Sequence, residues 1–188
     1  MSCKTYARRV TMSTALEIER KYIIRIPNEA LLRLMNSYTE SLITQTYLCP
    51  SPGETRRVRR REYADHTVFT KTTKRRVDGI SSIECEDVIT ESEYLSLLHE
   101  IEPGTHPIEK KRKTFLCNGT VFEIDIYPEW KNICILETEL EHPDDRPLPP
   151  DFIEILAEVT GEKRLSNHSL SRAFPDEDII YDTFCRRV

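Results

Sequence analysis

The stretch Leu16-Glu17-Ile18-Glu19-Arg20-Lys21-Tyr22-Ile23-Ile24 decides how the rest of the chain reads. Its alternation has a period of two, so it is a strand. Glu17, Glu19 and Lys21 share one face, and Leu16, Ile18, Tyr22 and Ile24 take the other. An ordinary half-buried strand turns a mixed polar face to water. Here the polar face carries charge at successive in-phase positions, and the pattern returns along the chain. Arg57, Arg59 and Arg61 are in phase, as are Thr72 and Lys74, then Glu84 and Glu86. Lys110, Arg112 and Thr114 follow, then Glu123 and Asp125, then Glu137, Glu139 and Glu141. One such strand is a solvated surface. The whole set predicts a closed sheet with apolar faces outward beneath helices and charged faces turned into a lumen.

The other elements are placed around these strands. A first strand is expected over Ala15–Ile26, and a short helix from Asn28 to Met35. A strand over Ile43–Leu48 is closed by the turn Pro50-Ser51-Pro52-Gly53. Thr55–Tyr63 and Thr67–Lys74 form a hairpin, and Ile80–Ile89 is a further strand. Thr90 and Glu93 form a capping box that opens a helix to His99. Pro107–Cys117 and Thr120–Tyr127 form a second hairpin around Asn118-Gly119, a strong two-residue turn. Asn132–Glu141 is the last long strand. A helix is expected from Pro150 to Val159, stopped by Gly161, and a short terminal helix within Asp176–Val188. Sequential hairpins favour antiparallel pairing, and so many strands in a short chain favour closure. The expected class is α+β: an antiparallel eight-stranded closed β-barrel with peripheral helices. It occupies one domain over residues 15–188, after a flexible extension over residues 1–14.

Composition narrows the function. The 188 residues are 31% charged and carry a formal net charge of −5, which argues against a dedicated nucleic-acid binder held by bulk charge. No apolar run reaches the roughly 18 residues that a membrane span needs. Cys3, Cys49, Cys85, Cys117, Cys134 and Cys185 form no C-x-x-C pair, no signal peptide precedes them, and they read as reduced thiols. A cytoplasmic location is expected. His66, His99, His106, His142 and His168 are scattered and mostly in turn-like contexts, so neither zinc nor a histidine nucleophile is indicated.

The lumen's chemistry is that of a polyanion site. Lys21, Arg57, Arg59, Lys74, Lys110 and Arg112 match a ligand with several phosphoryl groups, Arg as a fork and Lys as a point charge. The carboxylates Glu17, Glu19, Glu84, Glu86, Glu123, Asp125, Glu137 and Glu139 would repel such a ligand. They make sense if some hold a hard divalent cation through oxygen, as magnesium and manganese require, while others orient the bases.

In order, these residues resemble the motifs of the CYTH, or triphosphate tunnel metalloenzyme, superfamily. Glu17-Ile18-Glu19-Arg20-Lys21 is similar to its E-x-E-x-K hallmark, and Arg57-Val58-Arg59 to its R-x-R. Thr72-Thr73-Lys74 resembles T-x-K, Glu84-Cys85-Glu86 E-x-E, and Lys110-Lys111-Arg112 K-x-R. Glu123-Ile124-Asp125 and Glu137-Thr138-Glu139 resemble the late acidic pairs. Thr160-Gly161-Glu162-Lys163-Arg164 with Asn167 resembles the closing T-G-x-x-R-x-x-N. Two departures stand out: Lys71 competes with Lys74 for the T-x-K register, and Leu165 replaces a frequent aromatic.

The resemblance implies a closed antiparallel tunnel acting on a small-molecule triphosphate with Mg2+ or Mn2+. Inorganic tripolyphosphate, split to pyrophosphate and phosphate, is the expected substrate. An adenylate cyclase, or another member that processes a nucleoside or thiamine triphosphate, is the alternative, and a non-enzymatic polyphosphate-binding module a weaker one. Glu17, Glu19 and Lys21 are the expected catalytic group. Lys21, Arg57, Arg59, Lys74, Lys110, Arg112 and Arg164, with Glu84 and Glu86, are expected at the substrate. Glu17, Glu19, Asp125, Glu137 and Glu139 are the expected metal ligands.

Overall fold

The computed structural model describes residues 13–78 and 81–186, with side chains from residue 17 onward. Nine strands account for most of the chain. They are β1 (Ser13–Arg25), β2 (Asn36–Leu48), β3 (Thr55–Glu62), β4 (Thr67–Arg76), β5 (Ser81–Ile89), β6 (Ile108–Cys117), β7 (Thr120–Ile126), β8 (Ile133–Leu140) and β9 (Ile155–Glu158). The first eight close into an antiparallel ring in the order β5-β4-β3-β2-β6-β7-β8-β1, and β1 returns to β5. The ring closes because β1 is long enough to serve two neighbours. Ser13–Ile18 pairs with β5, and Ile18–Arg25 pairs with β8.

The apolar faces point outward, as the alternation requires, and each is covered. On one side Tyr22, Ile24, Phe115, Phe122, Ile124, Cys134 and Leu136 pack beneath Leu32 of α1 (Glu29–Leu32) and Ile153. On another, Leu48 and Val58 pack beneath Tyr94 of α2 (Glu91–Leu97). The α2 helix starts on the expected capping box: Thr90 accepts from the Glu93 backbone N–H, and the Glu93 carboxylate accepts from that of Thr90. Asn118 and Gly119 both take positive φ, 49° and 82°, which makes the tight β6–β7 turn.

A third apolar cluster lies inside the ring. Ile23, Ile108, Tyr127, Ile133 and Ile135 face inward at one end. They are sealed by Val159, by Leu165 of the 3-10 turn Lys163–Leu165, by Leu170 of α3 (Asn167–Arg172) and by Ile180 of α4 (Glu177–Ile180). A short π-helical turn, Tyr181–Cys185, follows α4. Trp130 is packed here against Tyr127 and Phe174, and its indole N–H donates to the Pro175 carbonyl.

Three expectations are corrected. The Pro150–Val159 helix does not form; Ile155–Glu158 is the strand β9, paired to Tyr22–Ile24 of β1. That stretch of β1 lies beyond the reach of β5, and a bare strand edge there is covered by β9. β2 begins at Asn36 rather than Ile43, with Ser37 at φ 54° and a register shift between Asn36 and Thr39. Ser13 and Thr14 belong to β1, so the expected N-terminal extension lies, apart from these two, outside the described residues. No described helix is long and apolar enough to cross a membrane. Cys49, Cys85, Cys117, Cys134 and Cys185 are unpaired thiols.

Candidate active site inside the ring

The inward positions of all eight ring strands bound a cavity of about 1570 Å3. A drug-sized pocket is typically about 300–1,000 Å3, so there is room for a polyanion with cations and water. The register fixes who faces in. Arg57 pairs with Thr72 and with Tyr47, Arg59 with Thr70 and Gln45, Lys74 with Glu84, and Lys21 with Glu137. The T-x-K ambiguity resolves by parity: Lys74 lines the cavity, whereas Lys71 lies on the outer face 3.8 Å from Asp87.

The bases form a graded set. Lys74 Nζ lies 2.9 Å from Glu84 and 3.1 Å from Glu17. Arg57 Nη2 sits 3.4 Å from Glu84. Burial pulls Lys21 down, but Glu137 at 2.8 Å and Glu19 at 3.3 Å overcome it and hold the ammonium well above its ordinary pKa. Arg59 is the least compensated. Burial, with Arg57 and Arg112 beside it, brings its pKa down to about 10; its nearest carboxylate, Glu86, is 4.0 Å away. Its Nη2 donates to Gln45 Oε1 at 3.2 Å. The buried side-chain atoms without a hydrogen-bond partner among the described residues are Arg57 Nε, Arg59 Nε, Thr70 Oγ1 and Thr114 Oγ1. All four belong to inward-facing positions. A buried donor without an acceptor is costly, so guanidinium N–H groups left this way call for an anion.

Beneath these bases lies a buried charge network. Asp125 accepts from Arg112 Nε at 2.6 Å and Nη2 at 2.6 Å, and pairs with Lys110. Arg112 also reaches Glu137 at 2.9 Å and pairs with Glu123. Asp125 and the Lys110 side chain are 0% exposed, and neither borders the cavity. Lys110 pairs with Asp125, and Asp125 accepts from the Arg112 side chain, which does border the cavity. Burial, Arg112 and Arg59 push the Lys110 pKa down to about 8 despite Asp125. Arg164 is not brought to the cavity. Its side chain is 65% exposed, clasped by Glu162 at 2.8 Å and lying over the Phe184 ring.

The remaining carboxylates face one another. Glu19 pairs in register with Glu139, and Glu123 with Glu137. Burial, then Glu123, Glu19 and Glu84, push the Glu139 pKa up. Burial and Glu84 push Glu17 up to about 7, while Arg57 and Lys74 keep Glu84 charged against its own burial. This is negative charge in excess of what the neighbouring bases balance, in hard oxygen donors. The chemistry fits a divalent cation, although no three such side chains already converge on a point among the described residues. The oxygens of Glu137 are taken by Lys21 and Arg112, so Glu19 and Glu139 are the freer members.

Several residues on the inner face were given no role from the sequence. Gln45 and Tyr47 are in phase on β2, with Gln45 Nε2 donating to the Tyr47 hydroxyl at 3.0 Å. Arg61 donates to Ser41 Oγ at 2.9 Å. His168, at the start of α3, also lines the cavity.

Neither a protein-family model nor a curated protein sequence matches the chain. Among solved structures, the inorganic triphosphatase NE1496 superimposes with a TM-score of 0.52 at 24% identity, over 85% of this chain and 96% of that one. The chain shares the fold of NE1496. A second structure of NE1496, described as a hypothetical protein, gives a TM-score of 0.51 at 24% identity over 85% of this chain and 99% of that one. PH1819 from Pyrococcus horikoshii OT3 gives 0.51 at 18% identity over 68% and 80%. The tunnel of this chain carries the charged inner wall that its motifs led us to expect.

Proposed function

We propose that the chain hydrolyses a triphosphate, inorganic tripolyphosphate first, to pyrophosphate and phosphate with Mg2+ or Mn2+. The observation that carries this reading is the pair of buried guanidinium Nε donors, Arg57 and Arg59, without acceptors among the described residues on the wall of a charged cavity. Membership of the CYTH superfamily follows from the ordered motifs together with the fold shared with NE1496, itself described as an inorganic triphosphatase.

Arg57, Arg59, Lys74, Lys21 and Arg112 grip the phosphate oxygens and balance charge as it moves onto the leaving group. Asp125 and Lys110 keep the Arg112 fork in place. Glu19 and Glu139, with Glu123 and Glu137 beside them, would hold the cation, which when bound polarises the phosphoryl oxygens. Water attacks the terminal phosphorus in line, and its proton passes to a wall carboxylate. Glu17 is the best suited, because its pKa of about 7 makes it an effective acceptor near neutrality. The P–O bond to the bridging oxygen breaks and pyrophosphate leaves.

The test is a product assay on tripolyphosphate, thiamine triphosphate and ATP with Mg2+ or Mn2+. Phosphate plus pyrophosphate, released faster from tripolyphosphate than from ATP, is the expected result. Cyclic AMP as the main product from ATP would move the chain to the cyclases.

A further inference from the structure

Where the cavity meets α3, an imidazole is held on the wall by a carboxylate. His168 Nε2 lies 2.7 Å from Glu102 Oε2, and the other Glu102 oxygen pairs with Arg172 one turn along α3. Glu102 is buried, and its backbone N–H donates to the Tyr47 carbonyl at 3.0 Å. The His168 ring packs on the Tyr47 ring at 4.7 Å between centroids. Ser166 caps α3, and His106 N–H donates to the Ser171 carbonyl at 2.7 Å, so the helix that carries His168 is anchored at both ends. From Tyr47 the contacts run through Gln45 to Arg59, the least compensated base of the site.

The tautomer follows from Glu102. A carboxylate accepts, so the neutral imidazole carries its proton on Nε2 and leaves a lone pair on Nδ1, which has no partner among the described residues. A lone pair does not bind phosphate; an Nδ1–H does, and only the imidazolium has both protons. We propose that His168 is a substrate-contacting residue of the tunnel, recruited as a cation by the bound triphosphate and held in place by Glu102. The inference rests on the triphosphate reading given above.

The charges around the imidazole set its behaviour. Glu102 is shared between the imidazole and Arg172 on its far side. Tyr47, against which the ring lies, is in the field of Arg57, Arg59 and Lys21. Glu162 and Arg164 of the preceding turn neutralise each other. A polyanion bound between the bases attracts a positive charge beside it, so substrate binding and protonation of His168 help each other.

The experiment compares the full chain with H168N, which removes the charge but can still hydrogen-bond, and with E102Q. Tripolyphosphate binding is followed by isothermal titration calorimetry in buffers of different ionisation enthalpy, and KM is followed across the imidazole range. Near pH 6 the H168N variant should bind roughly tenfold more weakly, the loss of one charge-assisted contact; near pH 8 the two should converge. The ligand's own ionisation cancels in that ratio. Wild type should take up a proton on binding near neutrality that H168N does not, and E102Q should lie between them. A ratio that stays flat with pH, or equal proton uptake in wild type and H168N, overturns the role of His168 while leaving the triphosphate site standing. Wild type that binds no tripolyphosphate at either pH overturns the reading beneath it, and this inference with it.

Discussion

Arg59 and Asp125 are both charged, inward and nearly dry, yet they answer to different needs. Arg59 is a base whose Nε donor has no acceptor among the described residues, so its cost is carried by the free protein and recovered on binding. Arg59→Ala should raise the melting temperature of the ligand-free chain slightly. It should also raise KM for tripolyphosphate by the loss of a contact of about 1.5–3 kcal/mol, roughly 10- to 150-fold, as steady-state kinetics would read it. Asp125 has the opposite balance. Asp125→Asn leaves the buried Lys110 without its paired carboxylate and takes one of three from Arg112, and a denaturant titration should show a loss of about 3–5 kcal/mol. Glu17 adds a pH signature. The folded chain holds the Glu17 proton up to about 7, against an unfolded value of 4.5. Stability from that proton is complete below the unfolded value and is lost as pH rises toward the folded one. Glu17→Gln should therefore gain stability over wild type as pH is raised from about 5 to 8 without divalent cations, and melts across that range would show it. The sequence placed Arg59 and Glu17 on the inner wall by phase alone. It could not separate Asp125 from Glu137 or Glu139, because depth below a surface leaves no mark on a period-two pattern.

Elements were legible wherever local chemistry and tertiary demand agreed. The Asn118-Gly119 turn is such a place. Nothing lies within 4 Å of a Cβ built on Gly119, so substitution there meets only the backbone preference at φ 82°. Gly119→Ala should cost about 1–2 kcal/mol with activity preserved, measurable by thermal or chemical melts. β9 is the contrary case. Glu154, Leu156, Ala157 and Glu158 are good helix formers, and Gly161 offered a stop. The open edge of β1 at Tyr22–Ile24 overrode that preference. α3 went unread for another reason: six residues give too short a period to detect, though Ser166 and Ser169 form its cap.

At the scale of the molecule, the inner wall is charged for most of its length and then becomes apolar at one end. That switch was written in the strands: Ile23 follows Glu19 and Lys21 in phase, Tyr127 follows Glu123 and Asp125, and Ile135 precedes Glu137. Reading each strand's polar face as uniform hid it. The charged part should respond to ligand as a unit. Chelator should abolish turnover, with Mg2+ or Mn2+ restoring it and Ca2+, whose bonds are longer, failing to. Saturating tripolyphosphate with Mg2+ at about a hundred times its Kd should add about 2.7 kcal/mol, or roughly 5–10 °C in melting temperature, seen by differential scanning fluorimetry.

β1 also sets an order of events. It joins residues 13–18 to 81–86, residues 18–25 to 133–140, and residues 22–24 to 155–158. Its partners are the most distant in the chain, so ring closure carries a high contact order and is expected to be slow. During synthesis the first strand to emerge is the last to be fully paired. Until residue 140 has emerged, the Glu17–Lys21 segment has no complete wall to belong to. The cavity has no half-built version: it arrives with β8, and until then the edges of β1 are open to mispairing.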